Sequence, residues 1–154
     1  MGDKIRRRLS TLRLEELRVR AASLGLVLDG LTHIPPPESD LMRSRWYPKF
    51  PETLRIVDEL VFADVAGLLK ALCIEWEVLS DDGSFVLYLS DDLVGALVAP
   101  ASFLAEVSNM EKLLRLDGDS VVVTAGDASG WVLDLLVDGM SEEFTLARIE
   151  AQRI

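Results

Sequence analysis

Histidine and cysteine are the side chains that most often supply general-base and nucleophilic chemistry, and this 154-residue chain holds one of each, His33 and Cys73. A catalytic triad needs a base beside a hydroxyl or thiol. His33 stands just before Ile34-Pro35-Pro36-Pro37, and Cys73 opens an apolar run, where a lone cysteine serves as a small buried hydrophobe. One imidazole and one thiol fall short of the three or four ligands of a zinc site. The glycines form neither GxGxxG nor GxxxxGK[ST], so no phosphate cradle is expected, nor any cofactor.

Carboxylates are the remaining route to catalysis. Asp81, Asp82, Asp91, Asp92, Asp117, Asp119 and Asp127 have the chemistry to hold a hard cation or to work as an acid/base pair. All seven stand in turn-forming sequence, where aspartate bonds its own backbone. Leu116-Asp117-Gly118-Asp119-Ser120 lacks the closing glutamate of a calcium loop. The expectation is turn residues first, with Asp81, Asp82, Asp91 and Asp92 as candidates for an acidic, partner-facing patch and no metal site.

The most distinctive stretch is Arg43-Ser44-Arg45-Trp46-Tyr47-Pro48-Lys49-Phe50. Arginine, tryptophan and tyrosine bury large areas while keeping hydrogen-bonding groups, and they dominate binding hot spots. Arg43, Arg45, Trp46 and Tyr47 are therefore candidate partner-binding residues. The competing role is internal: Trp46 and Phe50 anchor the segment on the core while the arginines point outward. The basic start, Lys4-Ile5-Arg6-Arg7-Arg8, reads as a solvated arm or as a nucleic-acid contact.

The elements that must position these residues follow from periodicity. Ser10 to Leu24 carries hydroxyl caps, early acids and a following Gly25, which predicts a basic helix over 10–24 docking by Leu14, Leu17, Ala21 and Leu24. Its Leu14-Glu15-Glu16-Leu17…Leu24-Gly25-Leu26 pattern resembles the first helix of SAP-type DNA-binding modules. That family's second, basic helix has no counterpart, because His33 to Pro37 intervenes, so no function carries over. Residues 32–51 read as an extended Pro-rich connector. Leu54, Val57, Val61, Val65, Leu68 and Leu72 fit a helix over 52–72, although Asp64 equally suits the cap of a second helix after a break at Phe62-Ala63.

From Cys73 the period becomes two: Ile74, Trp76 and Val78, then Asp81-Asp82-Gly83, then Phe85 to Leu89 predict a hairpin. Leu93 to Ala99 suits a strand better than a short helix. Pro100 to Leu116 is an amphipathic helix with Phe103, Val107, Met110 and Leu114 on one face. Ser120 to Thr124, Trp131 to Val137 and Phe144 to Ile149 form a meander. The fold class is α+β: N-terminal helices, then a mainly antiparallel sheet of five or six strands interrupted by one covering helix, in a single domain over 1–154.

Charge narrows the partner. The net charge is −10, but residues 1–55 hold 11 basic and 7 acidic side chains while residues 56–154 hold 5 and 19, giving nets of +4 and −14. An acidic body repels polyanions and attracts cationic clefts. No apolar run approaches the ~18 residues of a membrane span, no signal core follows Met1, and a single cysteine forms no internal disulfide, so a cytoplasmic protein without membrane association is expected. The functional expectation is a non-enzymatic, acidic protein-binding module, a neutraliser of the immunity or antitoxin type for a basic partner protein. Two alternatives stand beside it: nucleic-acid association through residues 1–50, and a small-ligand binder or enzyme with an aspartate-based site between the sheet and the helix at 101–115.

Overall fold

The structure is a computed structural model and describes residues 2–46, 55–71, 83–91, 93–116, 120–126 and 129–151. It is an α+β arrangement: an N-terminal helix, then a seven-stranded antiparallel sheet with short helices inserted. The first helix, α1 (Asp3–Ser23), begins seven residues earlier than its sequence predicts. Ser10 is no cap. It lies inside the helix, fully buried, and its hydroxyl donates to the carbonyl of Val94 at 2.8 Å. The preceding arginines are drawn into the helix by acids across from them, Arg6 by Asp40 and Arg7 by Glu38.

The helix ends as expected. Gly25, at φ 80°, donates to Ala22 O, and Leu26 donates back to Ala21 O, which satisfies the last carbonyls and buries Leu26 beside Ala21. Leu14, Leu17 and Ala21 dock on the core, whereas Leu24 falls past the last turn and stays half exposed.

Over the described part of the 32–51 segment, residues 32–46, the chain is not the extended connector that three prolines suggest. Thr32–Ile34 forms strand β1, and Glu38–Arg43 forms helix α2. Proline is compatible with a first helical turn, where its missing N–H costs nothing, and Glu38 and Asp40 suit that turn's positive end.

The 52–72 helix also divides. Arg55–Phe62 is strand β2, and the helix, α3, is described over residues 65–71. The alternative break at Phe62-Ala63 is correct: the Asp64 carboxylate accepts from the Gly67 N–H at 2.7 Å, a side-chain cap. The expected strand at 74–78 lies outside the described residues. Its hairpin partner is present as β3 (Ser84–Tyr88), and β4 (Ala96–Pro100) confirms the strand reading of 93–99 in its second half.

Pro100 to Leu116 breaks into α4 (Ala101–Leu104) and α5 (Val107–Leu116), with the Asn109 side chain donating to the Phe103 carbonyl across the break. The meander stands as β5 (Ser120–Ala125), β6 (Ser129–Asp138) and β7 (Ser141–Glu150).

The strand order is β1-β4-β3-β5-β6-β7-β2, every pair antiparallel. The sheet is wider than expected because β1 and β2 come from segments whose sequence reads as connector and helix. Alternation along each strand gives two faces. The inner face carries Phe85, Leu87, Leu97, Val121, Val123, Trp131, Leu133 and Leu146 and is covered by α1, α3, α4 and α5. The outer face carries Tyr88, Ala96, Val122, Val132, Ala147 and Ile149, and Trp46 packs on it.

Candidate functional site

The structure places the described sequence candidates in different surroundings. Trp46 is fully buried on the outer face. Arg43, the last residue of α2, reaches across the end of β3: its guanidinium donates to the carbonyl of Leu89 at 3.2 Å and sits 5.4 Å from the ring centre of Tyr88. Arg45 is solvent-exposed beside them. Arg43 and Trp46 therefore share the outer face. Asp91 does not join them. Its carboxylate accepts from the N–H of Leu93 at 3.1 Å, as turn aspartates do, and faces Arg13 of α1 at 3.7 Å. Tyr47, Asp81, Asp82 and Asp92 lie outside the described residues, as do Cys73, Asp117, Asp119 and Asp127.

His33 does meet a hydroxyl. Its Nε2 lies 3.0 Å from Ser10 Oγ and 2.6 Å from the carbonyl oxygen of Val94. The shorter contact requires Nε2 to carry the proton, because a bare ring nitrogen would set its lone pair against the carbonyl. Ser10 also donates to that carbonyl. No acceptor lone pair on Nε2 is left for the serine proton, so the pair clamps α1 and β1 to the 93–95 turn rather than forming a nucleophile and base. Gly95 completes that turn at φ 93°, where an added Cβ would stand 2.3 Å from the Ile34 carbonyl.

The basic arm is compensated in part: Arg6 and Arg7 are paired, while Lys4 and Arg8 form no ion pair among the described residues. Arg6, Arg7, Arg13 and Arg18 each face a carboxylate, from Asp40, Glu38, Asp91 and Glu15. Those neighbours weaken the cationic field that a polyanion would follow.

What the sequence reading missed lies at the other end of the sheet. Seven large apolar side chains exposed among the described residues stand on or between β2, β6 and β7: Ile56, Val57, Leu60, Val61, Leu136, Val137 and Met140. The register sorts them. On the outer face Leu136 opposes Glu143; Asp134, Thr145 and Val61 form the next row; Val132, Ala147 and Glu59 the next; Gly130, Ile149 and Ile56 the last. The exposed aliphatic groups of this face are Ile56, Val61 and Leu136, interspersed with the carboxylates of Glu59, Asp134 and Glu143, while Val132, Ala147 and Ile149 are buried; no side chain in these rows is basic.

On the inner face of the same strands two of the acids are compensated. Glu142 accepts from Arg115 of α5 at 2.8 Å, and Asp58 faces Arg148 at 3.9 Å. The Arg115 hydrogen bond, chiefly, together with its charge holds the Glu142 carboxyl below the ordinary carboxylate range, against a smaller opposing effect of burial. The same bond raises Arg115.

β2 closes the order, so one of its sides carries no strand among the described residues. A bulge between Ile56 and Asp58 interrupts its register, and its acids guard the edge. Two copies of β2 would set carboxylate against carboxylate.

Among the described residues no helix is long and apolar enough to cross a membrane, and no three or more His, Cys, Asp or Glu side chains are grouped to hold a metal. This sheet end therefore offers shape, apolar area and negative charge. Comparison with family models, with curated proteins and with solved structures finds no match to this chain.

Proposed function

We propose that the chain is a non-enzymatic protein-binding module whose acidic, aliphatic sheet end docks a basic partner protein, in the manner of a neutraliser that covers a cationic cleft. The observation that carries this reading is the grouping of exposed aliphatics with Glu59, Asp134 and Glu143 over three adjacent strands, with no cation among their rows. Exposed apolar patches rimmed by charge mark interaction surfaces. The carboxylates steer a cationic partner in, and the aliphatic groups hold it once water is expelled.

The test is a titration of the isotope-labelled protein with a short peptide of alternating lysine and leucine, followed by amide NMR. Shifts confined to residues 56–62, 132–138 and 141–149 are expected. They should fade when salt is raised to about 0.5 M, which shortens the screening length to a few ångströms. They should also fade in the Glu59→Gln, Asp134→Asn, Glu143→Gln triple variant. Shifts centred on α1, or spread evenly over the molecule, would refute the assignment.

A further inference from the structure

The outward side of α1 carries a second apolar stripe that the fold does not use. Ser10, Leu14, Leu17 and Ala21 are buried against the core, while Ile5, Leu12 and Val19 are more than half exposed. At about 100° per residue the two sets lie on opposite sides of the helix. The exposed three recur every seventh residue, a step that drifts only ~20° around an α-helix, so they form one straight seam. Leu12 and Val19 line an open groove with Glu15, Glu16 and Arg20.

The charges beside this seam are arranged to fit their own image. Arg8 and Glu16 stand four residues before and after Leu12, about 40° to either side of it. A two-fold axis through Leu12, perpendicular to the helix, lays a second α1 antiparallel on the first. It sets Leu12 on Leu12, Ile5 on Val19, and Arg8 on Glu16 of the other copy. Neither Arg8 nor Glu16 has an ion-pair partner among the described residues, in contrast to Arg6, Arg7, Arg13 and Arg18 on the same helix. A parallel pairing would set Arg8 against Arg8.

We propose that the outward face of α1 binds a second copy of this chain as an antiparallel helix pair, sealed by Ile5, Leu12 and Val19 and specified by reciprocal Arg8–Glu16 pairs. Such isologous two-fold contacts are the commonest form of self-association. A seam one helix long falls below the ~1,200 Å² of standard interfaces, which places the dimer in the weak, micromolar class. α1 shares its clamp with β1, at the opposite edge of the sheet from β2, so dimerisation leaves the acidic end of each copy open. The proposal stands independently of the partner reading above.

The experiment is sedimentation equilibrium of the full chain from about 1 to 500 µM. The expected result is reversible conversion of the 17.0 kDa monomer to a species of twice that mass. Leu12→Glu, at an exposed position, should weaken association at least about tenfold with unchanged circular dichroism and melting. Arg8→Glu and Glu16→Arg should each weaken it, and the double variant should restore it, since the swap re-forms both pairs. A monomer throughout the range, a dimer indifferent to Leu12→Glu, or a double swap no better than the single ones would overturn the proposal.

Discussion

Gly130 lacks a side chain because Trp46 occupies the place where one would stand. A Cβ there would lie 2.8 Å from Trp46 Cζ3 and 3.0 Å from Ile149 Cγ1, so the indole lies flush against the strand backbone. Gly130→Ala should therefore cost about 1–3 kcal/mol, as overpacking does. Trp46→Leu should cost a few kcal/mol through the cavity it opens. The two effects should not add, because the smaller side chain at 46 makes room for the new methyl. A double-mutant cycle read by urea denaturation checks this; strict additivity would mean that the tryptophan and the glycine are not in contact. The same pair shows what residue types alone reveal. Sequence marks Arg43, Arg45 and Trp46 as unusual, and Arg43 and Trp46 do share a face. What it hides is direction: burial of Trp46 turns a hot-spot composition into an anchor, and only its seat on Gly130 tells the two apart.

Elements were legible where one face is buried and the other wet. β7 and α5 show clean periods because the core enforces them, β5 reads instead as a β-branched run buried on both faces, and the Gly25 end of α1 is written in local chemistry. β2 was illegible for the opposite reason. An edge strand exposed on both faces has no period of two: Ile56, Val57, Leu60 and Val61 are apolar on both sides, and their spacing with Val65 and Leu68 imitates a helix. The candidate site escaped notice because it is built on that misread strand.

One contact between elements can be tested by titration. Arg115 of α5 reaches Glu142 of β7, and its hydrogen bond depresses that carboxyl. A depressed carboxylate contributes stability above its unfolded pKa and loses that contribution as pH falls through its folded value. In Arg115→Gln the Glu142 carboxyl should titrate at higher pH, towards the ordinary range, as followed by side-chain carbonyl NMR. The acid limb of the pH–stability curve should flatten slightly. An unmoved Glu142 titration would show that the bond is not formed in solution.

At the scale of the whole molecule, the −14 carried by residues 56–154 has to go somewhere, and the fold crowds part of it onto three strands. Asp134 and Glu143 are diagonal neighbours on the outer face, since Asp134 opposes Thr145. Like charges ~7 Å apart in water repel by about 0.5 kcal/mol. None of Glu59, Asp134 and Glu143 has an ion-pair partner among the described residues, so at low ionic strength the native state bears this repulsion uncompensated. Neutralising them as Glu59→Gln, Asp134→Asn and Glu143→Gln should raise the denaturation midpoint at about 0.01 M salt, where the screening length is some 30 Å. The gain should vanish near 1 M, where that length is about 3 Å. The same variant should bind a lysine–leucine peptide less well. Stability and binding moving in opposite directions is the mark of a surface kept charged for a partner, because binding sites commonly trade stability for function. If the triple variant proves less stable at low salt, the carboxylates are paired within the fold, and the acidic end is a structural surface that offers nothing to a cation.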